Sequence, residues 1–396
     1  MKKFFAPRPL IITLLIFVLM FGLSFIPVNC GFLSPVANAL GDFDVYDIVY
    51  SRLLEEQSVD TNIVIVNIGD LSRKELSEQI EVLNKFQPAV IGIDAFFESP
   101  KDPENDSLLS AALSKCRHLV MVDKLDKFDE QTNHFGALHS SLKNFSRYSS
   151  GGYANLPNDD DVGFRTIREF RPKEIVKDSV ALSFSAKISG IYKKDALNKM
   201  LARNNHNEII NYRGNYNRFY FIDTYQYTDP SADFSFIKDK IVLMGYMGPD
   251  LRTKTLEDVF FTPLNVKYAG KSFPDMYGIV IHANIISMIL NGNYVNLMPS
   301  WISYLLAVII CFLNVKMLMA INSRFKDWFN GLTKVFILIY TVLNLFLSLE
   351  ILHYFNYRIN LTAALIAIVL GNTAIEIYDN YIQKIYSKFK KTGELK

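Results

Sequence analysis

Long apolar runs at the two ends of the chain constrain its fold more than any other feature. One runs from Leu10 to Phe25, and three more, Trp301–Ala320, Val335–Leu352 and Leu361–Ile377, crowd the C-terminal end. A hydrocarbon core of ~30 Å needs about 20 mostly apolar residues in a helix, and each run is near that length. The stretch from Cys30 to Met298 reads instead as water-soluble α/β protein. The spacing predicts transmembrane helices at 10–29, 299–320, 335–353 and 359–378. A large domain at 30–298 is then tethered by both of its ends to one membrane. What remains is short: a 1–9 N-terminus, a 321–334 loop, a 354–358 turn and a 379–396 tail.

Basic residues set the orientation. Lys2, Lys3 and Arg8 precede the first run; Arg324, Lys326 and Lys334 lie between the second and third; Lys384, Lys388, Lys390, Lys391 and Lys396 follow the fourth. Only Arg358 marks the turn between the third and fourth. By the positive-inside rule both termini and the 321–334 loop are cytoplasmic, and the 30–298 domain and the 354–358 turn are outside. Four crossings return the chain to its starting side, so the assignment is self-consistent. Ala37-Asn38-Ala39 resembles a leader-peptidase site but lies too far beyond the first run, and Asn29 before Cys30 is a poor lipoprotein signal, so the first run is expected to stay as an anchor.

A formal net charge of +2 gives no electrostatic footprint for nucleic acid, and none is expected as a partner. The 3 cysteines, Cys30, Cys116 and Cys311, make neither a disulfide framework nor a metal set. A domain of this length buries enough core without staples.

Within the domain, Asp42–Leu54 is amphipathic at helical spacing. Asn62–Ile68, Ala89–Asp94 and Leu119–Val122 are β-branched or apolar runs, separated by helical patterns at Arg73–Phe86 and Ser107–Leu113. Strand, helix, strand, helix, strand predicts a doubly wound, largely parallel sheet with helical crossovers. Lys124–Pro157 lacks a period and reads as a long loop or lid, with room for short strands. Ser179–Ile188 reads as a helix, Glu208–Tyr212 and Lys240–Met244 as strands, and Gly278–Leu290 as an apolar helix that leads through a turn, Asn291–Tyr294, to the second membrane run.

In this order of elements the chain resembles the second type of CHASE domain, the cyclase/histidine-kinase-associated sensory extracellular domain. The resemblance is carried by Tyr46-Asp47 followed by the Ile63–Asp70 strand and turn, by Ile91-Gly92-Ile93-Asp94 with Phe97 behind it, and by Asn211-Tyr212-Arg213-Gly214. It continues through Lys240–Gly245, Asp258 with Thr262-Pro263-Leu264, and Gly278–Asn284. The span layout is similar too. Two places depart from the family pattern: Gly69 precedes Asp70 where an aspartate is common, and the Asp161–Arg165 turn is altered. The resemblance implies a bacterial inner membrane and an extracytoplasmic (periplasmic) sensor. Family members usually feed a cyclase or kinase after the last span. Here the tail is an amphipathic extension with Tyr378, Ile382, Ile385 and Phe389 on one side. Such a receptor, without its own output module, is expected to act through a separate membrane or cytoplasmic partner protein.

Several residues carry possible chemistry. Asp94 ends a central strand, where ligands of open parallel sheets bind, and a carboxylate there holds a cation or a donor; as a turn cap it has no such role. Asp70 and Ser72 end the neighbouring strand and would share its rim. His282 and Asn284 open the last apolar helix. His282 reads as a pH-sensitive ligand residue or, more simply, as a hydrogen-bonded core residue. Arg213 would clamp an anionic ligand or pair with Asp258. Gly245–Gly248 lacks the Lys-Ser/Thr of a phosphate loop and reads as a turn, and Asp159–Asp161 as a solvated loop. No Ser-His-Asp, Cys-His, HExxH or CxxC pattern is present, so no enzyme activity and no cofactor is expected. Within the membrane, Lys316 and Glu376 fall at matching depth and are expected to pair, or each to snorkel; Asn314, Asn344 and Asn372 are candidates for interhelical hydrogen bonds. The sensor reading, with an unknown extracytoplasmic ligand, stands against two others. One is an extracytoplasmic metal-dependent enzyme using Asp94 and His282. The other is a structural subunit of a membrane complex.

Overall fold

The computed structural model describes residues 7–25, 44–53, 55–156, 166–253, 255–265, 273–325 and 329–385. Cys30, Ala37–Ala39, Asp159–Arg165 and Phe389 lie outside them. The chain divides into two compact units, Asn38–Val295 and Met1–Ala37 with Asn296–Lys396.

The first unit is built on one mixed, mostly parallel sheet. Its strands are β1 (Asp60–Asn67), β2 (Val90–Asp94), β3 (Leu119–Asp129), β4 (His134–Ser140), β5 (Ser150–Tyr153), and, after a short β6 (Glu169–Phe170), β7 (Lys173–Val176) and β8 (Ser179–Leu182). Beyond a short β9 (Glu208–Ile209) come β10 (Phe219–Ile222) and β11 (Ile241–Gly245), then the small pair β12 (Val259–Phe260) and β13 (Met276–Tyr277). The sheet order is β10-β1-β11-β2-β3-β4-β7-β8, with β5 also on β3. All pairings from β10 to β3, and β3 with β5, are parallel; β3 with β4 and β7 with β8 are antiparallel.

The central strands are apolar throughout because both of their faces are covered. Ile63, Ile65, Val90, Val120, Ile241 and Leu243 meet one set of helices: α5 (Phe184–Tyr192), α6 (Lys194–Ala202) and α7 (Gly278–Asn291). Val64, Val66, Ile91, Ile93, Met121, Val242 and Met244 meet the other: α2 (Arg73–Asn84) and α3 (Pro103–Ser114). The helix ends follow sequence chemistry. Ser72 and Glu75 form a capping box on α2, Asp102 caps α3 ahead of Pro103, and left-handed Gly292 closes α7.

Four local expectations change. The 124–156 stretch is more regular than a loop or lid with short strands: β3 continues into a hairpin with β4, followed by a short helix α4 (Lys143–Ser146) and β5. Ser179–Ile188 divides into β8 and α5, because the Ser183 side chain accepts from the Ala186 N–H and starts the helix there. Of the helix expected over 42–54, the described part is a π-helical turn at Val49–Leu53. The 208–212 strand is only β9, off the main sheet, and β10 takes the edge beside β1.

Asn67, fully buried at the carboxyl end of β1, ties this edge together. Its Nδ2 donates to Asp223 Oδ1 (3.0 Å) and the Gly248 carbonyl (3.0 Å), and its Oδ1 accepts from the N–H groups of Gly69 (3.0 Å) and Met247 (2.9 Å). Gly69, at φ 45°, has the left-handed backbone this turn needs.

The second unit holds α1 (Pro7–Ser24), α8 (Ser300–Arg324), α9 (Phe329–Phe355) and α10 (Thr362–Ile377). Three of its helical stretches are long and apolar enough to cross a membrane, Ser300–Arg324, Gly331–Phe355 and Thr362–Ile385. α1 has 18 residues, which span about 27 Å. Small residues line the interfaces: Ala307 and Ala364 in one cluster, Ala367 and Ala374 in another, packed with Ile12 and Ile16 of α1. Asn314 Nδ2 crosses from α8 to the Ile368 carbonyl (3.1 Å), against Gly371. Asn344 and Asn372 bond within their own helices, to the Tyr340 carbonyl and to Glu376. At the other end of the bundle β14 (Asn296–Leu297) pairs in parallel with β15 (Tyr357–Arg358).

Asn67→Ala would leave the buried Met247 amide and the half-buried Gly69 amide without their acceptor and remove one of the bonds to Asp223. A loss of about 2–4 kcal/mol in unfolding free energy is expected, read by denaturant melts of the purified chain. A loss under about 0.5 kcal/mol would contradict the bonding described.

Candidate ligand pocket at the carboxyl edge of the sheet

Asp94 is the last residue of β2, in register with Gly245 of β11. Beyond it opens a cavity of about 240 Å³, lined by Asp94, Phe96, Asp123, Asp258, Phe260 and His282, with Lys124, Ala154, Asn155, Leu156 and Gly278. Three of the residues singled out in the sequence, Asp94, Asp258 and His282, therefore meet at one place. Each arrives on a different element: a strand end, a turn before β12, and the first turn of α7.

Glycines create the room. A Cβ on Gly278 would stand 3.1 Å from both carboxylate oxygens of Asp258 and 3.2 Å from the Phe260 ring. A Cβ on Gly245 would enter Ile279, so the start of α7 sits directly on the end of β11. Asp258 itself has φ 54°, and its carbonyl accepts from the Gly278 N–H (3.1 Å). Asp123 is buried on β3 where Gly151 of β5 leaves space for its carboxylate.

Burial dominates the electrostatics of the cavity. Burial pushes Asp94 up to about 6. Burial, and then repulsion from Asp94, pushes Asp258 up to about 7, although the residue keeps an exposed outer side. Burial also raises Asp123, opposed by a hydrogen bond from Ser140 and attraction to Lys187. His282 is pushed the other way, to about 4, by burial alone. It stays neutral through the physiological range, with Nδ1 2.9 Å from Ser185 Oγ and its ring edge-on to Phe184. The core-residue reading of His282 holds at Nδ1, while another part of the ring faces the cavity.

Arg213 and Asn284 are placed elsewhere. Asn284, fully buried, accepts from the Arg213 (2.8 Å) and Gly214 (3.3 Å) N–H groups and donates to the Gly214 carbonyl (2.9 Å). The Arg213 guanidinium donates to Ser287 Oγ (3.0 Å) and the Ser58 carbonyl (2.7 Å) rather than to Asp258. The Asn211–Gly214 motif thus fastens a loop to α7. Ser72 is used as a helix cap, and Asp70 is not among the residues lining the cavity. Asp123, Asn155 and Phe260 were not singled out from the sequence. Asp123 lies in the part of β3 that carries no periodic signal.

In the membrane unit the Lys316 ammonium lies 5.8 Å from the centre of the Phe312 ring, and Glu376 accepts from Asn372 (3.0 Å). Among the described residues an ion pair joins Arg8 to Asp379, one guanidinium nitrogen lying 2.5 and 2.7 Å from the two carboxylate oxygens, with Arg8 also against the Tyr378 ring.

A family model of the CHASE2 domain matches residues 13–317, from within α1 to within α8. The chain belongs to the CHASE2 domain family. CHASE2 is a sensory extracellular domain family, and the match covers the whole sheet, the cavity and α7. A search of curated proteins and a search of solved structures each found no match. Among the described residues of this CHASE2 chain, no three His, Cys, Asp or Glu side chains gather closely enough to hold a metal ion.

The two kinds of shift have opposite signs in stability. Asp94, raised in the folded state, favours folding below its usual value of 3.8 and loses that contribution as pH rises to about 6. His282, depressed, favours folding above 6.5 and loses its contribution as pH falls to about 4. Asp94→Asn is therefore expected to stabilise the protein by about 1–3 kcal/mol at pH 8, with the gain fading as pH drops below 6. Denaturant melts of the purified chain in detergent at pH 8, 6 and 4 check this; no gain at pH 8 would show Asp94 to be solvated.

Proposed function

We propose that this chain is a membrane-anchored, extracytoplasmic CHASE2 receptor. Its ligand site is the Asp94/Asp258/His282 cavity, and its output travels through its own membrane helices to a partner protein. The observation that carries the reading is positional. The cavity is lined by Gly278 and His282 at the start of α7, and α7 leads in sequence, through Gly292 and β14, straight into the α8 span. A ligand that holds the start of α7 against β2 acts on the helix that precedes the α8 span in sequence. It shifts the helices only by the difference in its affinity for their arrangements.

The four-span topology, with α1 as the first span and both termini cytoplasmic in a bacterial inner membrane, belongs to the same proposal. The second unit supports it at both ends. Arg8 at the start of α1 meets Asp379 just past α10, as expected if both lie on one side. Near the other end of α1, Met20 and Leu23 share a cavity with Met298, Ser300, Asn360 and Thr362, which precede or open α8 and α10. The positive-inside pattern assigns the Arg8 end to the cytoplasm.

Two measurements test the reading. With the native cysteines replaced, Asn144→Cys is expected to react with a membrane-impermeant maleimide in sealed right-side-out vesicles; labelling only after lysis would reverse the topology. Nitroxides at Phe21 and Tyr354, both exposed on the bundle, are expected to change separation by about 1–2 Å when Gly278→Leu fills the cavity. An unchanged distance distribution would remove the link from cavity to helices.

A further inference from the structure

Four buried acids elsewhere in this domain have arginine partners, while buried Asp60 and Asp223 accept hydrogen bonds from Ser287 and Asn67. Asp47 is held by Arg168, Asp106 by Arg73, Glu174 by Arg171 and Glu208 by Arg203. Asp94 has no hydrogen-bond or ion-pair partner among the described residues, and Asp258 faces it across the cavity. His282, 4 % exposed, supplies an independent observation. The Ser185 hydroxyl lies 3.5 Å from the His282 carbonyl, in position to donate to it, and 2.9 Å from Nδ1, in position to accept from an Nδ1–H. Among the described residues none bonds to Nε2, and in the tautomer with the proton on Nδ1 that nitrogen presents its lone pair to the cavity. Two carboxylates and an imidazole lone pair are all acceptors, so the occupant that satisfies them must bring several donors and a positive charge.

We propose that the cavity binds the ammonium head of a small organic cation, with Asp94 and Asp258 as counter-ions, His282 Nε2 as the third acceptor, and Phe96 and Phe260 against its carbon chain. This rests on the cavity being the receptor's ligand site and adds the ligand's chemical class. An ammonium group offers three N–H donors in a loose geometry, whereas a metal ion needs ligands gathered closely around one point, an arrangement the described residues lack. The cavity, at about 240 Å³, is below the ~300–1,000 Å³ of sites for drug-sized molecules, which favours a short aliphatic amine. The charged groups at the cavity are Asp94 on β2, Asp123 and Lys124 on β3, Asp258 before β12 and His282 on α7, with Lys187 of α5 near Asp123 and Glu257, beside Asp258, adding to its repulsion. Lys187 offsets Asp123, and Lys124 is exposed at the rim, so the inner pair carries the uncompensated charge. Since bound cation needs that pair ionised, affinity falls as acid protonates Asp258 and then Asp94.

The probes are putrescine and cadaverine, added to the purified full-length chain in detergent and followed by calorimetry and thermal unfolding. The controls are 1,4-butanediol, sodium and calcium. Saturable binding of a diamine, none of the diol, an affinity about tenfold or more weaker in Asp94→Asn and in Asp258→Asn, and weaker binding at pH 5 than at pH 8 are expected. Asp94→Asn is expected to fold at least as well as the wild type, so its loss of binding reports the site. Calcium or sodium displacing the diamine with higher affinity, or undiminished binding by both variants, would overturn the proposal. So would an absence of amine binding; if the Gly278→Leu distance change persisted in that case, the receptor reading would stand and only the ligand class would fall.

Discussion

The amide of Asn67 is the bond on which the functional edge of the sheet depends. Four hydrogen bonds leave one buried side chain and reach the Gly69 turn, the Met247–Gly248 turn and Asp223. Asp223 in turn accepts from the Leu251 N–H (3.0 Å). Parallel strands end in loops whose backbone groups have no ladder to join, and a buried group left without a partner costs about 1–3 kcal/mol. Asn67 settles these groups for three loops at once. The carboxyl edge is therefore a fixed surface, and Asp94, one strand removed from β1 across β11, projects from a rigid rim.

Against that rigid rim the cavity is electrostatically unsettled. The domain pairs Asp47, Asp106, Glu174 and Glu208 with guanidinium groups, yet keeps Asp94 and Asp258 as mutually repelling carboxylates beside a neutral imidazole. Groups whose burial costs stability cluster where a protein binds or reacts, because the same desolvation that penalises them strengthens their attraction for a complementary ligand. Gly278 keeps the Asp258 carboxylate close to α7, the helix that precedes α8 in sequence.

The membrane unit is held by different means, since water exclusion offers little between helices already in lipid. Small residues let α8 and α10 approach, Asn314 spans the gap to a carbonyl, and Arg8 with Asp379 joins the start of the first helix to the end of the last. Apolar length alone located α8, α9 and α10, and matching depth made Lys316 and Glu376 an attractive pair. Depth fixes only one coordinate, however. The rotation of each helix decides which side chains meet, and it brings Asn314 across while turning Asn344 and Asn372 back onto their own helices.

The same division holds in the soluble unit. Continuous Val and Ile runs determined β1, β2 and β11 by themselves, because a strand covered on both faces has no polar side to break the pattern. The helical pattern from Arg73 likewise located the start of α2, whereas α3 begins at Pro103, one turn before the apolar pattern from Ser107, because Asp102 caps it there. The hairpin of β3 with β4 was hidden, since its exposed strands alternate weakly and their pairing is a property of the sheet rather than of either segment. Local sequence marked Asp94, Asp258 and His282 as separate polar residues at element ends. Only the tertiary structure put them around one cavity and sent Arg213 and Asn284 to brace α7, because which neighbours a side chain has depends on strand order and helix docking, and those are set by the packing of the whole core.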